Sequence, residues 1–181
     1  SANLVEFKKW FDAGILGGAT TNPLILQKEG ILNVPEHIKK MIAICGEGFP
    51  ISIEVPDSTM SYGKMVNLAI KYDDMFPNNA VIKIPMDCRD SQKAFEVMKD
   101  LTERGVPVNA TLGLTAGQLI AAAEALRGNK ESYISLFWGR CDEAGGISAE
   151  QTLITVLNYL KTHDLHSKVI IGSIRNIAQI N

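Results

Sequence analysis

Six short runs of apolar residues recur along the chain and predict β-strands. They are rich in branched or aromatic side chains, and each ends at Gly, Pro or a polar cluster. None alternates cleanly between apolar and polar positions, which is typical of strands buried on both faces of a parallel sheet. The predicted strands cover residues 15–23, 50–56, 80–86, 106–112, 133–139 and 168–174.

Helical patterns lie between the predicted strands. Apolar residues recur there at spacings of three and four, and polar caps or glycines bound the patterns. The predicted helices begin at Asn3 or Leu4, at Ser58, after Asp90, at Thr115 and at Ser148. Because helices and strands alternate throughout, the sequence predicts an α/β fold with a parallel sheet.

This repeat fits either an open doubly wound sheet or a closed (β/α)8 TIM barrel. The stretch "GGATTNP" (17–23) lacks the G-x-G-x-x-G spacing of a dinucleotide loop. In a barrel, residues near the carboxyl ends of the strands converge on one mouth, where barrel enzymes keep their active sites. Polar residues that fall there, and so favour the barrel, are Asn22, Glu54, Lys83, Asn109, Ser135 and Ser173.

Composition argues against some classes of binding partner. The 181 residues carry a net charge of −2, and so small a charge produces no electrostatic field of one sign that would attract nucleic acid or an anionic membrane. We expect a single domain over residues 1–181, with no membrane span and no signal peptide. Cys45, Cys88 and Cys141 lack metal-binding spacing and fit reduced thiols, so we expect a cytoplasmic protein.

Lys83 lies in the middle of the apolar run "AVIKIPM" (80–86). We expect Val81, Ile82 and Ile84 to surround the side chain and disfavour its ammonium form, which leaves a nucleophilic amine. Such an amine can attack a ketone, and the resulting Schiff base accepts electrons when a carbon–carbon bond breaks or forms.

Aldol chemistry of this kind needs a proton relay beside the imine. Glu54, one strand away, could provide it through a water that Thr111 also holds. The alternative is a structural ion pair between Glu54 and Lys83. Asn22 could likewise only cap a turn, and Ser135 and Ser173 could only bond to backbone.

A charged substrate needs an anchor. The stretch "SIRN" (173–176) follows the strand that would be seventh in a barrel, where a phosphate site is usual. Arg175 can grip phosphate while Ser173 donates its hydroxyl, and Arg140 after the preceding strand is a second candidate cation. The alternative for each arginine is a solvated surface position.

The ordered motifs around these residues resemble the transaldolase family, including its smaller fructose-6-phosphate aldolase-like branch. The resemblance spans nearly the whole chain. The matching motifs are "GATTNP" (18–23), "IEV" (53–55), "IKIP" (82–85), "VNATL" (108–112), "SLFWGR" (135–140) and "SIRN" (173–176).

The resemblance implies a role for each candidate residue. Lys83 matches the Schiff-base lysine, and Glu54 matches the acid that orients the catalytic water. Glu54 and Phe137 stand where aldolase-like members carry Gln and Tyr, which favours transaldolase. The other matches are Asn22, Asn109 and Thr111 in the sugar and water sites, Ser135 and Phe137 on the strand that would be sixth in the complete barrel, and Arg140, Ser173 and Arg175 in the phosphate grip, the set of side chains that binds the substrate phosphate.

The implied function is transfer of a dihydroxyacetone unit between sugar phosphates in the pentose phosphate pathway. Sedoheptulose 7-phosphate and glyceraldehyde 3-phosphate would give erythrose 4-phosphate and fructose 6-phosphate, with no cofactor and no metal. Two alternatives stay open: a fructose-6-phosphate aldolase that releases free dihydroxyacetone, and a non-catalytic sugar-phosphate-binding protein. We expect small-molecule sugar phosphates as partners and a homo-oligomer.

The chain also departs from the family pattern. Leu24 stands where a Ser is common and Trp138 replaces a smaller residue, which bears on fine specificity. Family members begin with a strand that ends in Asp and continue after "SIRN" into an eighth strand and a helix. We therefore expect the natural protein to extend beyond both ends, with an Asp directly before Ser1, and we expect a gap between the second and seventh strands of the barrel.

Overall fold

Six parallel strands alternate with helices in the computed structural model, which describes residues 2–87, 89–146 and 148–180. Each strand lies inside its predicted segment or exceeds it by a single residue. The strands are β1 (Ala19–Thr20), β2 (Ile51–Glu54), β3 (Ala80–Pro85), β4 (Val108–Gly113), β5 (Ser132–Phe137) and β6 (Lys168–Gly172).

The helices that the sequence predicted are present, and three further helices are not among those predictions. The helices are α1 (Leu4–Asp12), α2 (Pro23–Lys28), α3 (Val34–Cys45), α4 (Tyr62–Met75), α5 (Ser91–Glu103), α6 (Ala116–Ala125), α7 (Trp138–Ala144) and α8 (Ala149–Thr162). Helix α4 begins later than expected, because Ser58 lies in a turn before it. The unpredicted helices are α2, α3 and α7; α2 and α7 have only 6 and 7 residues, too few for a clear period.

The strands follow one another in chain order across the sheet, and each neighbouring pair is parallel. A doubly wound sheet reverses its strand order, so this order excludes that arrangement. Among the described residues no hydrogen-bonded ladder joins β6 to β1. The sheet is therefore a half-barrel, consistent with a partial (β/α)8 barrel, and the predicted gap lies between β1 and β6.

The curvature of the sheet brings distant strands around one cavity. Gly18 and Ala19, at β1, line a cavity of 280 Å³ together with Tyr133 of β5 and Ile170 of β6. Gly18 directly precedes β1, Tyr133 is the second residue of β5, and Ile170 is the middle residue of β6. The cavity therefore lies on the concave side, towards the amino-terminal ends of β1 and β5.

Alternate side chains of each strand point to opposite sides of the half-barrel. Those facing the helices are apolar and form one core with the helices: Ile51, Ile53, Ile82, Ile84, Val108, Ala110, Ile134 and Leu136. The residues between them are polar: Ser52, Glu54, Lys83, Asn109, Thr111 and Ser135. The pleat thus sends the polar strand residues to the concave side.

Candidate active site

Three predicted site residues are aligned across β2, β3 and β4. The ladders pair Glu54 with Lys83 and Lys83 with Asn109. Lys83 and Asn109 are buried, and Glu54 is partly buried. Because paired residues of parallel strands lie at the same level, their side chains meet on the concave side of the sheet.

Lys83 is held by two acceptors. Its Nζ lies 3.0 Å from Glu54 Oε2 and donates to the carbonyl oxygen of Thr21 at 3.3 Å. Of the three residues expected to surround the Lys83 amine, Ile82 and Ile84 belong to the core on the helix side, whereas Val81 lies two residues earlier on the same side of β3 as Lys83. The Lys83 side chain is therefore buried with polar partners at its Nζ.

Asn109 connects two serines in a buried chain of hydrogen bonds. Ser135 Oγ donates to Asn109 Oδ1 at 2.8 Å, and Asn109 Nδ2 donates to Ser52 Oγ at 3.0 Å. Ser52 was not predicted, although it lies two residues before Glu54 and so on the same face of β2. The chain fixes the orientation of the Asn109 amide on the side of the sheet where Lys83 lies.

Thr111 carries a buried hydroxyl without a partner. The ladder between β4 and β5 is irregular between Ala110 and Gly113, and Leu112 has a φ of 68°. Such irregularities re-aim side chains and are over-represented next to active sites. In the part of the chain that the structure describes, Thr111 Oγ1 is buried and has no hydrogen-bond partner, so it is available to a water or a substrate.

The end of β1 contributes more than the predicted Asn22. Asn22 Oδ1 accepts from the Ile25 N–H at 2.8 Å and caps α2, a helix where the sequence offered a turn as the alternative. The backbone N–H and the Oγ1 hydroxyl of Thr21 both donate to the carbonyl oxygen of Ser52, each at 2.9 Å. These bonds fix the Thr21 peptide whose carbonyl receives Lys83, a contact that no side-chain pattern could reveal.

The loops after β2 and β3 are tied together beside the site. Ser58 Oγ donates to Asp87 Oδ2 at 2.7 Å, and Lys93 Nζ donates to the Ser58 carbonyl at 3.0 Å. The hydrogen bonds of Arg89 hold the pKa of the Asp87 carboxyl well below its usual range. Asp87 is thus an anion that joins the segments following Glu54 and Lys83.

The two predicted phosphate segments meet at the ends of β5 and β6. Gly139 N–H donates to the Ser173 carbonyl at 3.1 Å, and Ser173 has a φ of 60°. A Cβ on Gly139 would clash with the Ser173 carbonyl oxygen and with the Arg175 side chain. A glycine is therefore needed at this close approach of the two segments.

The two predicted arginines have different partners. The Arg140 guanidinium lies 5.3 Å from the centroid of the Phe137 ring, and Arg175 Nε lies 3.3 Å from Glu143 Oε1. Glu143 was not singled out in the sequence. Within the described residues, no hydrogen bond or ion pair joins either arginine to Lys83 or Glu54.

The two departures from the family pattern lie in the first turns of α7 and α2. Trp138 packs against the core and lines a groove with Leu153 and Ile171, on the helix side of the sheet. Leu24 lies in the first turn of α2 and is 59% exposed. The predicted effect of Trp138 on specificity therefore has no direct contact to support it.

Metal-binding clusters and membrane-spanning helices are both absent from the described ranges. No group of three or more His, Cys, Asp or Glu side chains there lies close enough to hold a metal ion. None of the helices in those ranges is both long enough and apolar enough to cross a membrane.

The half-barrel and its polar concave side define a (β/α)-barrel protein, and comparisons specify its family. A family model described as transaldolase/fructose-6-phosphate aldolase matches residues 1–181. The chain is 33% identical over 175 residues to a probable transaldolase of Clostridium botulinum and 35% identical over 177 residues to one of Clostridium kluyveri. A probable transaldolase of Syntrophobacter fumaroxidans is 34% identical over 180 residues. These matches cover 97% of this chain and 74–75% of the relatives. The chain belongs to the transaldolase/fructose-6-phosphate aldolase family.

Proposed function

We propose that the protein is a transaldolase in which Lys83 forms a Schiff base with a ketose phosphate. The observation that carries the proposal is the buried pair of Lys83 Nζ and Glu54 Oε2, 3.0 Å apart on the concave side. A nucleophilic lysine needs a neighbouring base to accept its proton, and a carboxylate in contact with Nζ can serve. The family supports the same assignment.

The proposed reaction begins with attack of the Lys83 amine on the carbonyl carbon C2 of the ketose. Glu54 accepts the ammonium proton of Lys83 and later donates it to the hydroxyl on C2. That hydroxyl leaves as water, and a protonated imine remains on Lys83. The Thr111 hydroxyl, buried and without a partner in the described part of the chain, would hold the water that relays the proton. Glu54 then takes the C4 hydroxyl proton through this water.

Carbon–carbon cleavage follows from that deprotonation. The electron pair of the C3–C4 bond passes to the protonated imine nitrogen, an aldose phosphate leaves, and a three-carbon enamine remains on Lys83. The enamine carbon attacks the aldehyde carbon of an acceptor, and the proton returns through Glu54 to the new hydroxyl. Hydrolysis of the imine then frees the product ketose and Lys83.

The remaining residues bind the two ends of the sugar in this proposal. Asn22, Asn109 and Ser135 contact hydroxyl groups, and Phe137 borders the sugar. Arg140, Ser173 and Arg175 hold the phosphate, which the contact between Gly139 and Ser173 supports, because it brings the two segments together. Guanidinium groups suit phosphate since they donate in a planar fork.

Borohydride trapping tests the proposal and its alternatives. The protein is incubated with fructose 6-phosphate, reduced, and weighed by mass spectrometry. A three-carbon adduct on Lys83 is expected, and a non-catalytic sugar-phosphate-binding protein would give none. Turnover that requires an aldose phosphate acceptor indicates transaldolase, whereas release of dihydroxyacetone without acceptor indicates the aldolase.

Lys83→Arg is the matched variant for this test. It keeps the positive charge beside Glu54, but guanidinium stays protonated and cannot form the imine. We expect no adduct and a loss of turnover of at least about a thousandfold. Turnover near that of the unchanged protein would contradict the Schiff-base assignment.

We also propose the broader setting that the sequence suggested. The substrates are sugar phosphates of the pentose phosphate pathway, the protein acts in the cytoplasm as a homo-oligomer, and residues 1–181 belong to a single barrel domain that extends beyond them. The family supports the substrate class. Light scattering of the purified protein would test the oligomer, since a monomer mass would contradict it.

A further inference from the structure

Glu143 places a negative charge in the region proposed to hold the substrate phosphate. Its Oε1 lies 3.3 Å from Arg175 Nε. The other proposed cation, Arg140, lies one helical turn earlier on α7 and contacts the Phe137 ring. In the described part of the chain, no carboxylate lies within ion-pair distance of Arg140. Of the two arginines, Arg175 is thus already paired with a carboxylate and Arg140 is not.

A carboxylate competes with a phosphate for the same guanidinium. A phosphate that binds Arg175 must displace Glu143 from Nε or share the guanidinium with it, and the two anions repel each other. Both side chains of the existing pair are about half exposed, at 50% and 61%. Solvent therefore screens the competition and limits its size.

Arg175 does not depend on Glu143 alone for its position. The Arg175 N–H donates to Gln179 Oε1 at 2.7 Å, and Gln179 Nε2 donates to Asp142 Oδ2 at 3.0 Å. The Arg175 side chain also packs closely on Gly139. Loss of the Glu143 carboxylate would leave these contacts in place, so its main effect is on charge.

We propose that Glu143 is a specificity-determining residue that lowers the affinity of Arg175 for phosphate by competing with it. This inference rests on the phosphate grip proposed above. The competition penalises phosphorylated sugars and leaves non-phosphorylated sugars unaffected.

Calorimetric titration of the full chain with inorganic phosphate tests this role. Glu143→Gln preserves the size of the side chain and removes its charge. An exposed pair of this kind predicts a dissociation constant that falls about two- to fivefold. In a background of Arg175→Ala, which should itself weaken binding at least tenfold, the gain from Glu143→Gln should vanish, because the two residues act on each other.

Glu150→Gln is the matched control. It removes the same charge by the same substitution at an exposed position of α8, where Glu150 lines a groove with Ile174 and Gln179 and forms no ion pair within the described residues. We expect a smaller change in phosphate affinity than Glu143→Gln gives. An equal gain would overturn the proposal, because a general field rather than the Arg175 contact would then explain it.

The outcomes separate this inference from the proposed function. Unchanged or weaker phosphate binding in Glu143→Gln, with Arg175→Ala still defective, would overturn the competition and leave the phosphate grip standing. Phosphate binding that survives Arg175→Ala would overturn the grip itself. In turnover assays we expect the KM for fructose 6-phosphate to fall by the same factor as the dissociation constant, while the KM for fructose stays constant.

Discussion

Lys83 Nζ and Glu54 Oε2 form a buried ion pair that joins β2 to β3, with side chains that are 6% and 15% exposed. Breaking such a pair by removing one partner strands a buried charge and costs about 3–5 kcal/mol. An exchange that keeps an oxygen beside Nζ preserves a hydrogen bond but removes the countercharge. Kinetic and unfolding measurements on the same variant therefore separate the chemistry of the pair from its contribution to stability.

Glu54→Gln should slow the reaction without weakening substrate binding. The amide oxygen still accepts from Lys83, but the amide cannot carry the proton, so we expect kcat to fall about 10²–10⁴-fold with KM nearly unchanged. Asp12→Asn serves as a control and should leave kcat unchanged, because Asp12 forms an exposed ion pair with Lys8 on α1. A rise in KM alone would make Glu54 a binding or structural residue.

Thr111→Val should lower activity with little change in stability. The buried Oγ1 bonds to no protein group in the described part of the chain, so its removal breaks no hydrogen bond within the protein. Valine keeps the shape, so the free energy of unfolding should change by less than about 1 kcal/mol while kcat falls at least about tenfold. Thr111→Ser keeps the hydroxyl and should retain activity. Unchanged kcat in Thr111→Val would show that Thr111 holds no catalytic water.

The strands could be read from the sequence because local pattern sets them. Ile82 and Ile84 flank Lys83, and the same alternation places Val108 and Ala110 around Asn109. Our prediction treated each run as uniformly apolar and missed this period, although burial on both faces was correct for β3. The alternation separates the core from the site, and it explains why Lys83 meets Glu54 rather than isoleucines.

Other site contacts depend on tertiary structure and leave no local trace. The carbonyl of Thr21 reaches Lys83 across 62 positions of sequence. Glu143 meets Arg175 only because α7 packs on the segment after β6, where Gly139 allows the close approach. Backbone acceptors and exposed acids carry no distinctive pattern, so the residue types alone could not single them out.

His37 should make stability depend on pH. It is 6% exposed, and burial lowers the pKa of its imidazole below the ordinary 6.5 more than its contact with the Ala2 backbone raises it. The unfolded chain then binds a proton at higher pH than the folded protein. The stabilisation is complete above a pH of about 6.5 and is lost as the pH falls towards the folded pKa.

The measurement is the free energy of unfolding by urea between about pH 7 and pH 5. We expect the loss of stability over this range to be smaller in His37→Gln than in the unchanged protein. His166→Gln is the control, because His166 is exposed. Parallel curves for the unchanged protein and His37→Gln would show that His37 does not carry the pH dependence.

Gly139→Ala should damage phosphate recognition while sparing the imine. The new Cβ would clash with the Ser173 carbonyl and the Arg175 side chain, so the phosphate segment must shift. We expect the KM for phosphorylated ketoses to rise about tenfold or more, while dihydroxyacetone is still trapped on Lys83 by borohydride.

Gly117→Ala is the matched control, since a Cβ there meets nothing within 4 Å. Gly117 lies in helix α6, where alanine should add about 0.5–1 kcal/mol of stability and leave KM unchanged. An unaltered KM in Gly139→Ala would mean that the position of Arg175 does not govern phosphate binding.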